Sequence, residues 1–168
     1  MTNIKAILKM KDELIEKRKQ QISASKYKTT FNANHMCAIL DTCGNPLMYG
    51  TNIFNIKTPT TEHAEAQALR KLLEKYCYDK RKFKVDILVI RTNGYNSKPC
   101  GRCIQEMERL RGRLQIRNIY YTHENEILGL RCVKFCKLID EPERHYCSFD
   151  RNVRRRDIKN VNKKKSTC

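Results

Sequence analysis

The chain has 168 residues, 40% of them hydrophobic and 32% charged, with a formal net charge of +17. That length fits one domain with terminal extensions. Met1-Thr2-Asn3-Ile4-Lys5 opens no apolar run, so neither a signal peptide nor a membrane span is expected, and a secreted or membrane location is set aside in favour of an intracellular one, cytoplasmic or nuclear.

The charge is uneven. Residues 1–30 hold eight Lys/Arg against three Asp/Glu, and residues 143–168 hold nine against three. Basic ends suit polyanions such as nucleic acid, and they equally suit plain solubility. Nine cysteines is an odd count, and in a reducing interior cysteine pairs more often bind metal than form disulfides.

In chain order, Ile4, Ile7, Leu8, Leu14, Ile15 and Ile22 recur at helical spacing and predict an amphipathic helix over 3–24. A loop follows at 26–30. Residues 35–41 read as a buried strand, Cys43-Gly44-Asn45-Pro46 as a turn, and 47–50 as an antiparallel return strand. A polar loop, 55–61, leads into a helix over 62–77, with Thr60 or Thr61 as its N-cap and Glu62 in its first turn. The β-branched run 84–90 predicts a strand. A helix is expected over 100–111, a strand over 116–122, a turn at Glu124-Asn125-Glu126, and a last strand over 127–135. Apolar density falls from Asp140, and 150–168 lack any core pattern. The order α-β-β-α-β-α-β-β fits an α/β fold of three layers, α-β-α, around a five-stranded mixed sheet, with its fourth and fifth strands antiparallel as a hairpin.

Two stretches carry chemistry. His63-Ala64-Glu65 falls at the start of one helix, and Pro99-Cys100-Gly101-Arg102-Cys103 at the start of another. Cysteines three apart on a first helical turn put two sulfurs on one side, and zinc takes imidazole and thiolate ligands tetrahedrally. If the two helix starts face each other, His63, Cys100 and Cys103 converge on one zinc ion per chain. Three protein ligands leave one position open, as a catalytic zinc requires, whereas a structural site closes with a fourth Cys or His. Glu65, two residues on, leans over the same helix end, within reach of the zinc-bound water without being a ligand.

On these motifs the chain resembles the cytidine deaminase superfamily of nucleoside, nucleotide and polynucleotide deaminases. The resemblance spans about residues 35–135. It extends to Gly50-Thr51-Asn52, to His63-Ala64-Glu65-Ala66-Gln67-Ala68-Leu69 (closest in wording to viral and fungal deaminase-like members), to Ser97-Lys98-Pro99-Cys100 and to Ile119-Tyr120-Tyr121-Thr122. It implies that Asn52 contacts the sugar or phosphate, that the Ala64 amide helps hold the base, and that the Lys98 carbonyl accepts the exocyclic amine. It also implies a hydrolytic reaction at C4 of cytosine in which Glu65 moves the protons and ammonia leaves. The chain then divides into a basic N-terminal helix and loop (1–30), a deaminase domain (31–142) and a basic, disordered tail (143–168).

Substrate stays open between classes. Gly101, Gln105 and the terminal hairpin resemble free cytidine deaminases, which favours cytosine over adenine and a cytidine, deoxycytidine or deoxycytidylate-type substrate. The basic ends favour a polynucleotide, with Tyr27, Phe31, Phe54 and Tyr95 as loop aromatics for stacking. A catalytically idle, nucleic-acid-binding version of the fold is the third reading, and a homo-oligomer is compatible with each. Cys132, Cys136, His145 and Cys147 are a candidate second metal group of irregular spacing. Arg91 ends a strand near the expected pocket and could meet a phosphate. His35 and His123 have no partner nearby in sequence.

Overall fold

The computed structural model describes residues 4–24, 34–55, 60–79 and 81–141. The first loop, the tail after residue 141, His145 and Cys147 lie outside the described residues. Helix α1 (Ile4–Ala24) is followed by strands β1 (His35–Leu40) and β2 (Pro46–Thr51), the short strands β3 (Ile53–Asn55) and β4 (Thr60–Glu62), and helix α2 (Ala64–Lys75). Then come β5 (Phe83–Arg91), α3 (Gly101–Arg109) with a 3-10 turn at Leu110–Gly112, β6 (Leu114–Thr122), β7 (Leu130–Lys134) and α4 (Phe135–Ile139).

Five strands form one mixed sheet in the order β2-β1-β5-β6-β7. β1 pairs antiparallel with both β2 and β5. β6 has a parallel partner in β5 on one side and an antiparallel partner in β7 on the other. Parallel neighbours need a crossover, and α3 supplies it. The turn between β1 and β2 is built by Asp41, whose Oδ1 accepts the N–H groups of Cys43 and Asn45 at 2.8 Å, while Gly44 takes a φ of 94°.

Alternation along the strands sorts the core into two faces. Cys37, Ile39, Val85, Ile87, Val89, Ile119 and Tyr121 pack with α2, α3 and α4. Met36, Ala38, Leu40, Leu88, Ile90 and Tyr120 pack with Ile7 and Leu14 of α1. Ile7 and Leu14 are seven positions apart, one stripe of a helix, so α1 is a layer of the same fold. The three-layer α-β-α arrangement is the one the element order implies. Among the described residues no helix is long and apolar enough to cross a membrane.

Two expectations are corrected. The loop expected over 55–61 is in part a ribbon, with Ile53–Asn55 pairing antiparallel with Thr60–Glu62. The next helix consequently starts at Ala64 with His63 as its N-cap, and Glu65 takes the first-turn position expected of Glu62. The last strand is also shorter than 127–135. Gly129, at a φ of 59°, ends a turn in which its N–H donates to the Glu126 carbonyl, leaving Ile127 fully exposed. Phe135 and Leu138 then coil into α4, because helical spacing brings both into the core.

One contact fixes α2 against the sheet. A Cβ built on Gly50 would stand 2.1 Å from the Ala64 carbonyl oxygen and 2.6 Å from the Ala68 nitrogen. Backbone cannot yield as a flexible side chain does. Gly50→Ala is therefore expected to cost at least about 1–3 kcal/mol through overpacking, read as a lowered denaturation midpoint. Gly112→Ala, where a Cβ meets nothing within 4 Å, is the neutral control.

Candidate active site

The two chemical motifs meet at the N-termini of α2 and α3. His63 and Cys100 are the N-cap residues of the two helices, each with extended backbone and neither spending its side chain on its own helix. Both side chains are thus available to face each other across the helix ends. Cys103, one turn into α3, falls on the same side. His63 Nδ1 lies 3.4 Å from Cys100 Sγ and 3.3 Å from Cys103 Sγ, and the three ligand atoms all lie within 4.8 Å of one another. A tetrahedral zinc with bonds of about 2.1 Å to nitrogen and about 2.3 Å to sulfur sets N and S about 3.6 Å apart, so this donor set fits the ion. Among the described residues no fourth side chain joins the group.

The local electrostatics favour the thiolate form of Cys100. The Cys103 thiol bonds to Cys100 and, with His63, pulls the Cys100 thiol down to about 4 against the opposing effect of burial. Cys103 is pushed up, chiefly because it holds the proton of that bond. His63 is raised, first by its bond to Cys100. Glu65 is buried, and burial raises its carboxyl above the ordinary range, partly offset by His63. Cys37 on β1 lies buried near that carboxyl; burial, then the Glu65 charge, pushes its thiol well up, which keeps it neutral.

Strand ends supply the polar groups around the site. Asn52, just past β2, accepts the Ala64 N–H on Oδ1 at 2.8 Å. The amide expected to face a base is therefore held by Asn52. Gln67, buried one turn on, accepts the Thr51 N–H at 2.9 Å. On the other side, the loop carrying Lys98 and Cys100 is fixed by Ser97 and Thr122, both buried. Ser97 Oγ donates to the Val89 carbonyl at 2.8 Å and accepts the Thr122 N–H at 2.9 Å. Thr122 Oγ1 accepts the Arg91 N–H at 3.1 Å. Lys98 pairs through its ammonium with Glu141 beyond α4.

All seven residues singled out by sequence, Asn52, His63, Ala64, Glu65, Lys98, Cys100 and Cys103, belong to segments that meet at this end of the sheet. Sequence reading missed that His35 and Arg91 are cross-strand partners. Arg91 Nε donates to His35 Nε2 at 2.8 Å, and His35 Nδ1 lies 3.3 Å from Asn52 Nδ2. Fifty-six positions separate the pair, so only strand register could have revealed it. The candidate second metal group is not assembled among the described residues: Cys132 and Cys136 are both exposed thiols. Tyr95 is exposed, as a stacking residue would be; Tyr27 and Phe31 lie outside the described residues.

A sequence model of the cytidine and deoxycytidylate deaminase zinc-binding region matches residues 10–122. The chain belongs to this deaminase family. The match and the converged His63, Cys100 and Cys103 together make the site one for a single zinc ion, in a deaminase of the cytosine type. One solved structure agrees on the fold, and two further deaminases are similar at lower scores. Cytidine deaminase from Burkholderia pseudomallei is 22% identical, aligned over 77% of this chain and 96% of that one with a TM-score of 0.51. Cytidine deaminase from Mycobacterium tuberculosis is 18% identical over 77% and 94%, with a TM-score of 0.46. The dCMP deaminase of cyanophage S-TIM5 is 16% identical over 72% and 93%, with a TM-score of 0.41. No curated protein sequence matches the chain.

Elemental analysis of the purified deaminase is expected to give one zinc per chain, and Cys103→Ser or His63→Ala to lose stoichiometric metal. A value of two per chain would instead revive a second site. His35 offers a pH test. Burial first, then Arg91 and His63, lowers it to about 4. A lowered value means that the folded state resists the proton, so the stability it contributes is full above the unfolded value of about 6.5 and falls as pH drops toward 4. His35→Gln should flatten that part of the stability–pH curve by up to about 3 kcal/mol, measured by denaturation at pH 7 and pH 4.5.

Proposed function

We propose that this deaminase removes the exocyclic amine of cytosine in a nucleoside or nucleotide by hydrolysis, with zinc held by His63, Cys100 and Cys103 and with Glu65 carrying the protons. The observation that supports this most is a buried carboxyl of raised pKa beside a three-ligand His/Cys/Cys group. Zinc bound there supplies the nucleophile by lowering the pKa of water to about 7.

Glu65 takes a proton from the attacking water and passes it to the ring nitrogen; it then takes the proton of the new C4 hydroxyl and gives it to the departing amine. The C4–O bond forms, the C4–N bond breaks, and the products are the uracil compound and ammonia. A carboxyl whose pKa burial raises suits both halves of that transfer. Asn52 and Ala64 orient the sugar and the pyrimidine carbonyl, and the Lys98 carbonyl receives the amine hydrogens. Ser97 and Thr122 hold the Lys98 loop in place for this. The polynucleotide reading rests on the basic ends of the chain.

Glu65→Gln keeps the shape of the side chain and removes its proton transfer. It is expected to retain one zinc per chain and to lower ammonia release by about 10²–10⁴-fold or more, assayed on cytidine, deoxycytidine, their monophosphates and short oligonucleotides. Normal turnover by that variant would refute the role of Glu65.

A further inference from the structure

Beside the site lies a pair of residues that the deamination steps leave unused. His35 begins β1 and Arg91 ends β5, directly opposite each other. They alternate onto the sheet face that carries Cys37 and Val89, the face covered by α2 and α3. Cys37 lies close enough to Glu65 for the carboxyl to act on its thiol. His35 is two residues away along β1, about 6.6 Å by strand rise.

Hydrogen-bond accounting shows what this pair lacks. A neutral imidazole carries one N–H. Arg91 Nε donates to His35 Nε2, so that nitrogen is bare and the ring proton sits on Nδ1. Nδ1 faces Asn52 Nδ2 at 3.3 Å, which is a donor too, because Asn52 Oδ1 already accepts the Ala64 N–H. Two donors therefore meet there. Turning the Asn52 amide over moves the conflict to Ala64 as long as no base takes that amide. The guanidinium of Arg91 adds a permanent positive charge, and among the described residues no carboxylate forms an ion pair with it. Protonating His35 would add a further donor and a second positive charge, and the site resists it.

The cluster thus calls for a ligand that only accepts and is negative. A sugar hydroxyl brings its own donor; a phosphate brings none and pairs with guanidinium in a fork. We propose that Arg91 and His35, beside Asn52, form a subsite for the 5′-phosphate of a cytosine nucleotide, so that the substrate is a nucleoside monophosphate. This rests on the deaminase reading above and selects nucleotide over nucleoside within it.

The test compares kcat/KM for cytidine, deoxycytidine, their 5′-monophosphates and a short single-stranded oligonucleotide holding one internal cytosine. The zinc-loaded wild type is set against Arg91→Ala and Arg91→Lys. Wild type is expected to prefer the monophosphates, and Arg91→Ala to lose at least about tenfold more on monophosphate than on nucleoside, mainly in KM. Arg91→Lys keeps the charge without the fork and should recover part of the loss. An equal fall on both substrates would mark Arg91 as merely structural and overturn the subsite, as would no fall at all. An Arg91-dependent preference for the oligonucleotide over the monophosphate would overturn it in favour of a polymer phosphate.

Equilibrium binding of monophosphate against nucleoside to the Glu65→Gln protein separates this from the wider reading. A phosphate preference that vanishes with Arg91→Ala upholds the subsite even if no substrate is turned over. Equal binding of the two overturns it even if deamination is seen.

Discussion

The closeness of α2 to β2 governs the whole site. Gly50 lets the Ala64 carbonyl and the Ala68 backbone reach the strand at distances where any side chain would collide, and Ala64 and Ala68 are themselves small. Two polar links then fix the helix lengthwise: Gln67 to the Thr51 amide, and Asn52 to the Ala64 amide. A helix held at its first two turns has little freedom of rotation or slide. His63, immediately before it, is therefore aimed at α3 by packing, and the ligand geometry follows from backbone contacts rather than from the metal ligands themselves.

The opposite half of the site is held differently. The segment between β5 and α3 has no regular structure over residues 94–100, yet it must hold Cys100 within a few tenths of an ångström. Ser97 and Thr122 achieve this by buried hydrogen bonds to Val89, Tyr95 and the Arg91 amide. Buried polar groups satisfied in this way make a rigid joint, because each alternative conformation would strand a donor or acceptor away from water. A similar economy holds at the far end of the sheet, where Asp86 is fully buried at the irregularity in the β5–β6 register. Its carboxylate accepts from Arg117 Nη2 at 2.6 Å and from Asn118.

What could be read from sequence divides along the range of the interaction. Helix periodicity and β-branched runs placed α1, β5 and β6 within a few residues, since local patterning decides them. The ligand set was legible because cysteines three apart and a histidine at a helix start have few other purposes together. The ribbon at Thr60–Glu62, the early end of β7 and the helix at Phe135–Ile139 were not legible, because each is decided by a pairing or a core contact made elsewhere in the chain. His35 illustrates the limit most clearly. Its neighbours in sequence offer it no partner, and its meaning appears only when strand register brings Arg91 opposite.

The ion pair between Lys98 and Glu141 has a consequence for how the molecule tolerates change. It ties the residue before the Pro-Cys motif to the point where the described chain leaves α4. Truncating the polypeptide a few residues too early, or fusing a bulky partner directly behind α4, would therefore act on the loop that leads into Cys100 and not on a remote end. The opposite terminus enters through α1, whose buried stripe faces the other side of the sheet, and is the safer place for an attachment.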